Sequence, residues 1–176
     1  MIIKETNYLA LFAKSFNWAG YFLPKDTYEE CSKLYAFCRV LDDVADANQD
    51  LEIKKGRFND LKKIFKEIET LKNNYLQSST FEKHKVVISD MVVISEYKKI
   101  PDVVIKDLVD GVESDLKDKI QFNTVKELLV YSYRVAGTVG LMMAKILNVS
   151  DKRALKGAID LGIAMQLTNI SRDVVE

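Results

Sequence analysis

Histidine, cysteine and proline are nearly absent: the 176 residues hold one, two and two of them respectively. The single histidine, His84, sits in the charged run FEKHK. A histidine-based triad or a multi-histidine metal site therefore has no material. Cys31 and Cys38 lie seven residues apart on one helical face. A disulfide along one helix is geometrically poor, so both read as small core residues in a reducing compartment. Neither sign of charge is in excess, with Lys plus Arg and Asp plus Glu at 26 each. That balance gives no footing for nucleic acid and no acidic tail. No apolar run is long enough to span a bilayer. The amphipathic start, MIIKETNYLALFAKSF, has no small-residue cleavage pattern, so no signal peptide is expected and the location reads as cytoplasmic.

The scarcity of proline, with only seven glycines, favours long helices. The expectation is one all-α domain over residues 1–176, without repeats or linkers. Apolar spacings of three and four predict helices over 3–19, 25–47, from 51 onward, 81–98, from Pro101, from Thr124 to about 147, and from 151 to the end. Thr124 with Glu127 forms a capping pattern. The lysines after residue 51 read as a solvated outer face, with peripheral contact to a membrane surface as a weaker second reading. The acids of DLVDGVESDL, Asp107 to Asp115, read as an outer face as well.

Against this background YAFCRVLDDVAD, residues 35–46, stands out. Tyr28, Cys31, Leu34, Tyr35, Cys38 and Leu41 recur at helical spacing, and Asp42 and Asp46 continue that stripe. Residues four apart on a helix lie about 6 Å from each other. Burying unpaired carboxylates is costly. A divalent cation is a suitable partner, because Mg²⁺ is held by one or two carboxylates together with substrate phosphates. Arg39 precedes Asp42 and Asp43 by three and four residues. It can pair with them or grip a phosphate as a planar fork.

Two further segments are unusual. In YSYRVAGTVGLMMA, Gly137, Gly140 and Ala144 fall on nearly one face. Glycine within a helix costs about 1 kcal/mol relative to alanine. Either another helix packs very close there, or a ligand passes over that surface. In the last helix Gln166, Asn169 and Asp173 share a face at spacings of three and four. They form a second strip of oxygen donors suited to Mg²⁺.

Together these segments resemble the squalene/phytoene synthase family, the head-to-head prenyl transferases. YAFCRVLDDVAD is similar to its first aspartate-rich motif, YSYRVAGTVGLM to its tyrosine-containing signature, and QLTNISRDVVE to the start of its second aspartate-rich motif. Ser15 and Phe16, followed by Leu23 and Pro24, match its N-terminal pattern. The wording VAGTVG and LTNISRDV leans toward the phytoene-type members.

The resemblance implies an isoprenoid-synthase-type helical bundle around a central cavity. It implies condensation of two prenyl diphosphates, geranylgeranyl or farnesyl, with Mg²⁺-assisted diphosphate loss. By the same resemblance Asp42, Asp46, Asn169 and Asp173 hold the metal. Ser15, Tyr35, Arg39, Gln166 and Arg172 contact diphosphate, Phe16 and Gly137 line the substrate site, and Tyr133 lies beside the reacting carbons. The match corresponds to the first two-thirds or so of the family domain. The second motif is DxxxD, whereas Asp173 is followed only by Val174, Val175 and Glu176. A missing C-terminal segment is therefore expected, and the activity of the 176 residues alone is open. A head-to-tail prenyl synthase or terpene cyclase fits the tyrosine and glycine segment poorly. An inactive scaffold homologue has no reason to keep four metal-ligand residues.

Overall fold

The computed structural model describes residues 18–66, 84–116 and 121–173. Ser15 and Phe16 lie outside the described residues. Most of the expected 3–19 helix and the expected loop at 75–80 do so too.

Pro24 stands at the entry of the first complete helix, α1 (Lys25–Asp46). Its ring fixes φ and needs no intrahelical partner for a missing N–H. Then follow α2 (Leu51–Lys66), α3 (Lys85–Tyr97) and α4 (Asp102–Glu113). A 3₁₀ turn, Ser114–Leu116, extends α4. The stretch α5 (Val125–Ser132), a π-turn (Tyr133–Gly137) and α6 (Thr138–Ile146) run on as one rod. The last helix is α7 (Lys152–Asp173). No strand occurs among the described residues. The capping pattern at Thr124 forms: its Oγ1 accepts the Glu127 amide at 3.1 Å, and the Glu127 carboxylate accepts the Asn123 amide at 2.8 Å.

Two helix ends close through left-handed residues, Lys99 at φ 53° and Asn148 at φ 60°. The intervening side chain of Lys98 ties these ends together. It is buried, only 6% exposed, and its ammonium donates to the Ile146 carbonyl at 3.1 Å and Asn148 Oδ1 at 3.2 Å. It also pairs with Glu30 of α1 at 2.8 Å.

The core draws Leu34, Phe37, Leu41 and Val44 from α1, and Phe58, Leu61 and Phe65 from α2. Ile88 and Met91 of α3, Ile105 and Leu108 of α4, and Met142 and Ile146 of α6 complete it. Phe37 meets Phe65 edge to face at 5.3 Å, a favoured aromatic geometry. Cys31 is buried and Cys38 half-buried. Burial pushes their thiols up, to about 11 and about 12, so neither is a ready nucleophile.

Candidate active site

The core stripe of α1 runs through Leu34, Phe37, Leu41 and Val44. Tyr35, Arg39, Asp42 and Asp46 share the flank beside it, at successive spacings of three and four. Asp42 and Asp46 are therefore exposed at the edge of the core rather than sunk into it, contrary to the expected continuation of the apolar stripe. The Asp42 side chain keeps half its surface. Arg39 Nε lies 3.4 Å from Asp43 Oδ1, and Arg39 Nη1 lies 4.0 Å from Asp42 Oδ2. It stands among the carboxylates it was expected to pair with. Partial burial still pushes the Asp42 carboxyl up. Arg39 opposes that shift, and Asp46 and Asp43 reinforce it. The neighbouring Tyr35 hydroxyl is raised, first by burial.

Two residues of the site were not anticipated. Asp115 belongs to no outer face: the 3₁₀ turn after α4 carries it toward α1 and α5. Tyr131 of α5 donates a hydrogen bond to it. The other oxygen, Oδ1, is buried without a hydrogen-bond partner. Burial raises the Asp115 carboxyl, Tyr131 counters this, and the charges of Asp42 and Asp46 add to the rise. Tyr131 is itself raised by burial and by the charges of Asp115 and Asp42. Its ring tilts against Phe122 at 5.1 Å. Tyr133 faces elsewhere, and its hydroxyl donates to Asp107 at 3.1 Å. Of the two tyrosines it is Tyr131 that meets the acidic cluster.

Asp107, Asp110 and Glu113 of α4 are half-buried as well, rather than forming an outer face. Lys62 of α2 contacts Asp110 at 2.7 Å and Glu113 at 2.5 Å. Asp110 and Glu113 line a crevice of about 660 Å³ with Lys55, Ser114 and Arg134. None of the residues singled out from the sequence as site residues lines it.

The glycine face is explained by packing. A Cβ on Gly140 would collide with the Ala158 carbonyl of α7, and one on Gly162 with the Ala136 carbonyl. A Cβ on Gly137 would stand 3.2 Å from Ile159 and 3.3 Å from Ile163. The π-turn supports this approach. The Thr138 amide reaches back to the Tyr133 carbonyl, and the Thr138 hydroxyl donates to the Arg134 carbonyl at 2.7 Å. The carbonyl freed by the wider turn thus keeps a partner.

On α7, Gln166 is half-buried, whereas Asn169, Arg172 and Asp173 are exposed. Arg172 donates to Asp173 Oδ1 at 3.0 Å. The strip expected to look inward is thus open to solvent. The described contacts do not join it to Asp42 and Asp46. No three His, Cys, Asp or Glu side chains among the described residues are gathered closely enough to hold a metal ion by themselves. Asp42 and Asp46, with Asp115 near enough to feel their charge, form an anionic rim that Arg39 partly neutralises. That donor set suits Mg²⁺, which takes few protein carboxylates and completes its shell with water and phosphate oxygens.

The all-helical fold is that of an isoprenoid synthase, as its superposition on a solved structure shows. A superposable dehydrosqualene synthase crystal structure, solved with a ligand, has a TM-score of 0.64 at 27% identity, covering 92% of this chain and 52% of that one. The family model for squalene/phytoene synthase matches residues 9–176, and the chain belongs to that family. It is 30% identical to a 15-cis-phytoene synthase of Paracoccus, over all of this chain and 57% of that protein. It is 34% identical to the 4,4'-diapophytoene synthase of Staphylococcus haemolyticus, over 94% of this chain and 55% of that protein. The chain thus spans just over half the length of these relatives.

Proposed function

We propose that this chain forms the diphosphate-binding part of a head-to-head prenyl transferase, joining two prenyl diphosphates in carotenoid or related isoprenoid synthesis. The observation that carries the reading is the convergence of Asp42, Asp46 and the Tyr131–Asp115 pair on one rim. Mg²⁺ bound there supplies Lewis-acid neutralisation of the departing diphosphate. Asp42 and Asp46 hold it on this side, and Asn169 and Asp173 serve from α7. Arg39 and Arg172 offer planar forks to diphosphate oxygens, with Tyr35, Gln166 and Ser15 as hydrogen-bond donors. When the allylic C–O bond breaks, its electron pair leaves with diphosphate and the carbon fragment becomes cationic. Tyr131, rather than Tyr133, is the aromatic hydroxyl suited to stand by that fragment, held in orientation by Asp115. Phe16 and Gly137 remain proposals for the substrate wall. Gly137 also has the packing role described above.

The substrate is geranylgeranyl diphosphate on the phytoene reading and farnesyl diphosphate on the dehydrosqualene reading. Incubation with Mg²⁺ and each diphosphate, followed by hydrocarbon extraction and a diphosphate assay, decides between them. A C40 or a C30 head-to-head product is the expected outcome. Saturable Mg²⁺-dependent diphosphate binding that Asp46→Ala abolishes, with the far-ultraviolet spectrum unchanged, is expected even without turnover. Binding that survives Asp46→Ala would refute the assignment. No helix among the described residues is long and apolar enough to cross a membrane. Membrane contact through the lysine-rich face of α2 is a secondary proposal, tested by vesicle sedimentation.

A further inference from the structure

The crevice between α2, α4 and the π-turn has the volume of a small-molecule pocket, about 660 Å³. Besides its charged residues, Leu51 and Leu116 give it apolar walls. Its acids are already paired. Asp110 Oδ1 meets Lys62 at 2.7 Å and Asp110 Oδ2 meets Lys106 at 2.6 Å, while Glu113 meets Lys62. Burial alone would raise the Asp110 carboxyl, yet these lysines take it below the usual carboxylate range, so it stays charged and occupied. Lys55 has only Glu52, at 3.1 Å, on an open surface. Arg134 differs from all of these. It is half-buried, and no carboxylate among the described residues lies within ion-pair distance of it. Its stem is seated on α4 at Gly111, where a Cβ would stand 2.8 Å from the Arg134 Cβ. Among the lining residues and their partners, Lys55, Lys62, Lys106 and Arg134 stand against Glu52, Asp110 and Glu113. One cation is left without an acid. Withdrawing a charge from water without a partner is costly, and a guanidinium fork matches a carboxylate or a phosphate.

We propose that this crevice binds a compact amphiphilic anion, its phosphate or carboxylate head on Arg134 and Lys55 and its short hydrocarbon part against Leu51 and Leu116. The binding needs neither Mg²⁺ nor the proposed reaction. The crevice stands beside the acidic rim and not in it, since Asp42, Asp46, Asp115 and Tyr131 do not line it. The two are nevertheless linked through short stretches of chain. Ser114 immediately precedes Asp115, and Arg134 follows Tyr131 by three residues.

The test is isothermal titration calorimetry of the chain without Mg²⁺, with hexyl phosphate, hexanoate and hexyltrimethylammonium as probes. Saturable binding of an anion, with none of the cation, is expected. The tighter of the two anions names the head group, and either supports the proposal. Arg134→Gln should weaken binding by about tenfold or more, with part of the loss restored in Arg134→Lys. Lys55→Glu changes an exposed side chain that the fold does not need, and it too should weaken the anion. It decides the matter if Arg134→Gln fails to fold. Asp46→Ala, which empties the rim of a carboxylate, should leave this binding unchanged. Absence of saturable anion binding, equal binding of the cation, or anion binding that a folded Arg134→Gln or, failing that, Lys55→Glu leaves intact would overturn the proposal. Loss of anion binding in Asp46→Ala would place the anion on the rim and overturn it as well.

Discussion

Replacing Lys98 by methionine tests the arrangement that holds the site-bearing helices together. The ammonium uses all three donors, on Glu30 at 2.8 Å, the Ile146 carbonyl at 3.1 Å and Asn148 at 3.2 Å. Methionine fills nearly the same space, so the loss is electrostatic rather than a cavity. Hydrogen bonds from a charged group contribute about 1.5–3 kcal/mol each at most. Removing one member of a buried ion pair costs about 3–5 kcal/mol. Glu30 keeps 23% of its side-chain surface, so water partly rescues it and the low end applies. The expected loss is about 3 kcal/mol, or roughly 6 °C or more in Tm for a chain of this size. Urea unfolding followed by circular dichroism measures it. A cycle with Glu30→Gln should give a coupling of about 1 kcal/mol or more. A loss below about 1 kcal/mol, or strict additivity with Glu30→Gln, would refute the buried-clasp argument.

Three further outcomes follow from the packing and charge of the site. Gly140→Ala drives a methyl into the Ala158 carbonyl and should destabilise the chain by about 1–3 kcal/mol in urea unfolding; a neutral result would mean that α6 and α7 part freely. The Ser132 hydroxyl is fully buried without a partner, so Ser132→Ala should be neutral or stabilising by about 1 kcal/mol, and a clear loss of Tm would contradict this. The Asp115 carboxyl is raised in the folded chain, so its ionisation opposes folding. Its effect is absent below the ordinary carboxylate range near 3.9. As pH rises through the raised folded value the chain loses stability, a loss that Asp115→Asn should remove. Identical pH–stability curves for the two proteins would refute the burial that raises this carboxyl.

How much of this was readable beforehand depends on what kept regular helical register. Helices α1, α5 to α6 and α7 lie where the spacings of three and four put them, because caps and breaks coincide with the ends of the pattern. The acidic helix motif was legible on composition alone. Asp115 was not. Extrapolating the α-helical period of α4 assigns it to an outer face, but the chain tightens to a 3₁₀ turn there and each residue turns about 20° further. Periodicity also does not say which of Tyr131 and Tyr133 meets Asp115. They lie two residues apart, about 200° around a helix, so they face different ways, and only the contacts show that Tyr131 meets Asp115 while Tyr133 meets Asp107. The glycines raised two explanations at the outset. The carbonyl of Ala158 accounts for one of them at Gly140, since no periodicity reveals what a neighbouring backbone does.

The five-residue π-turn also acts as a phase adapter between the two halves of a single rod. Upstream, Tyr131 must be aimed at Asp115; downstream, Gly140 must be aimed at α7. An uninterrupted α-helix couples those two directions at 100° per residue, so correcting one would spoil the other. One additional residue in a wide turn breaks the coupling. The tyrosine and the glycine seam can then be set independently. Shortening this turn by one residue would therefore rotate every downstream side chain by about 100° and shift it about 1.5 Å along the axis, while leaving each residue's chemistry intact.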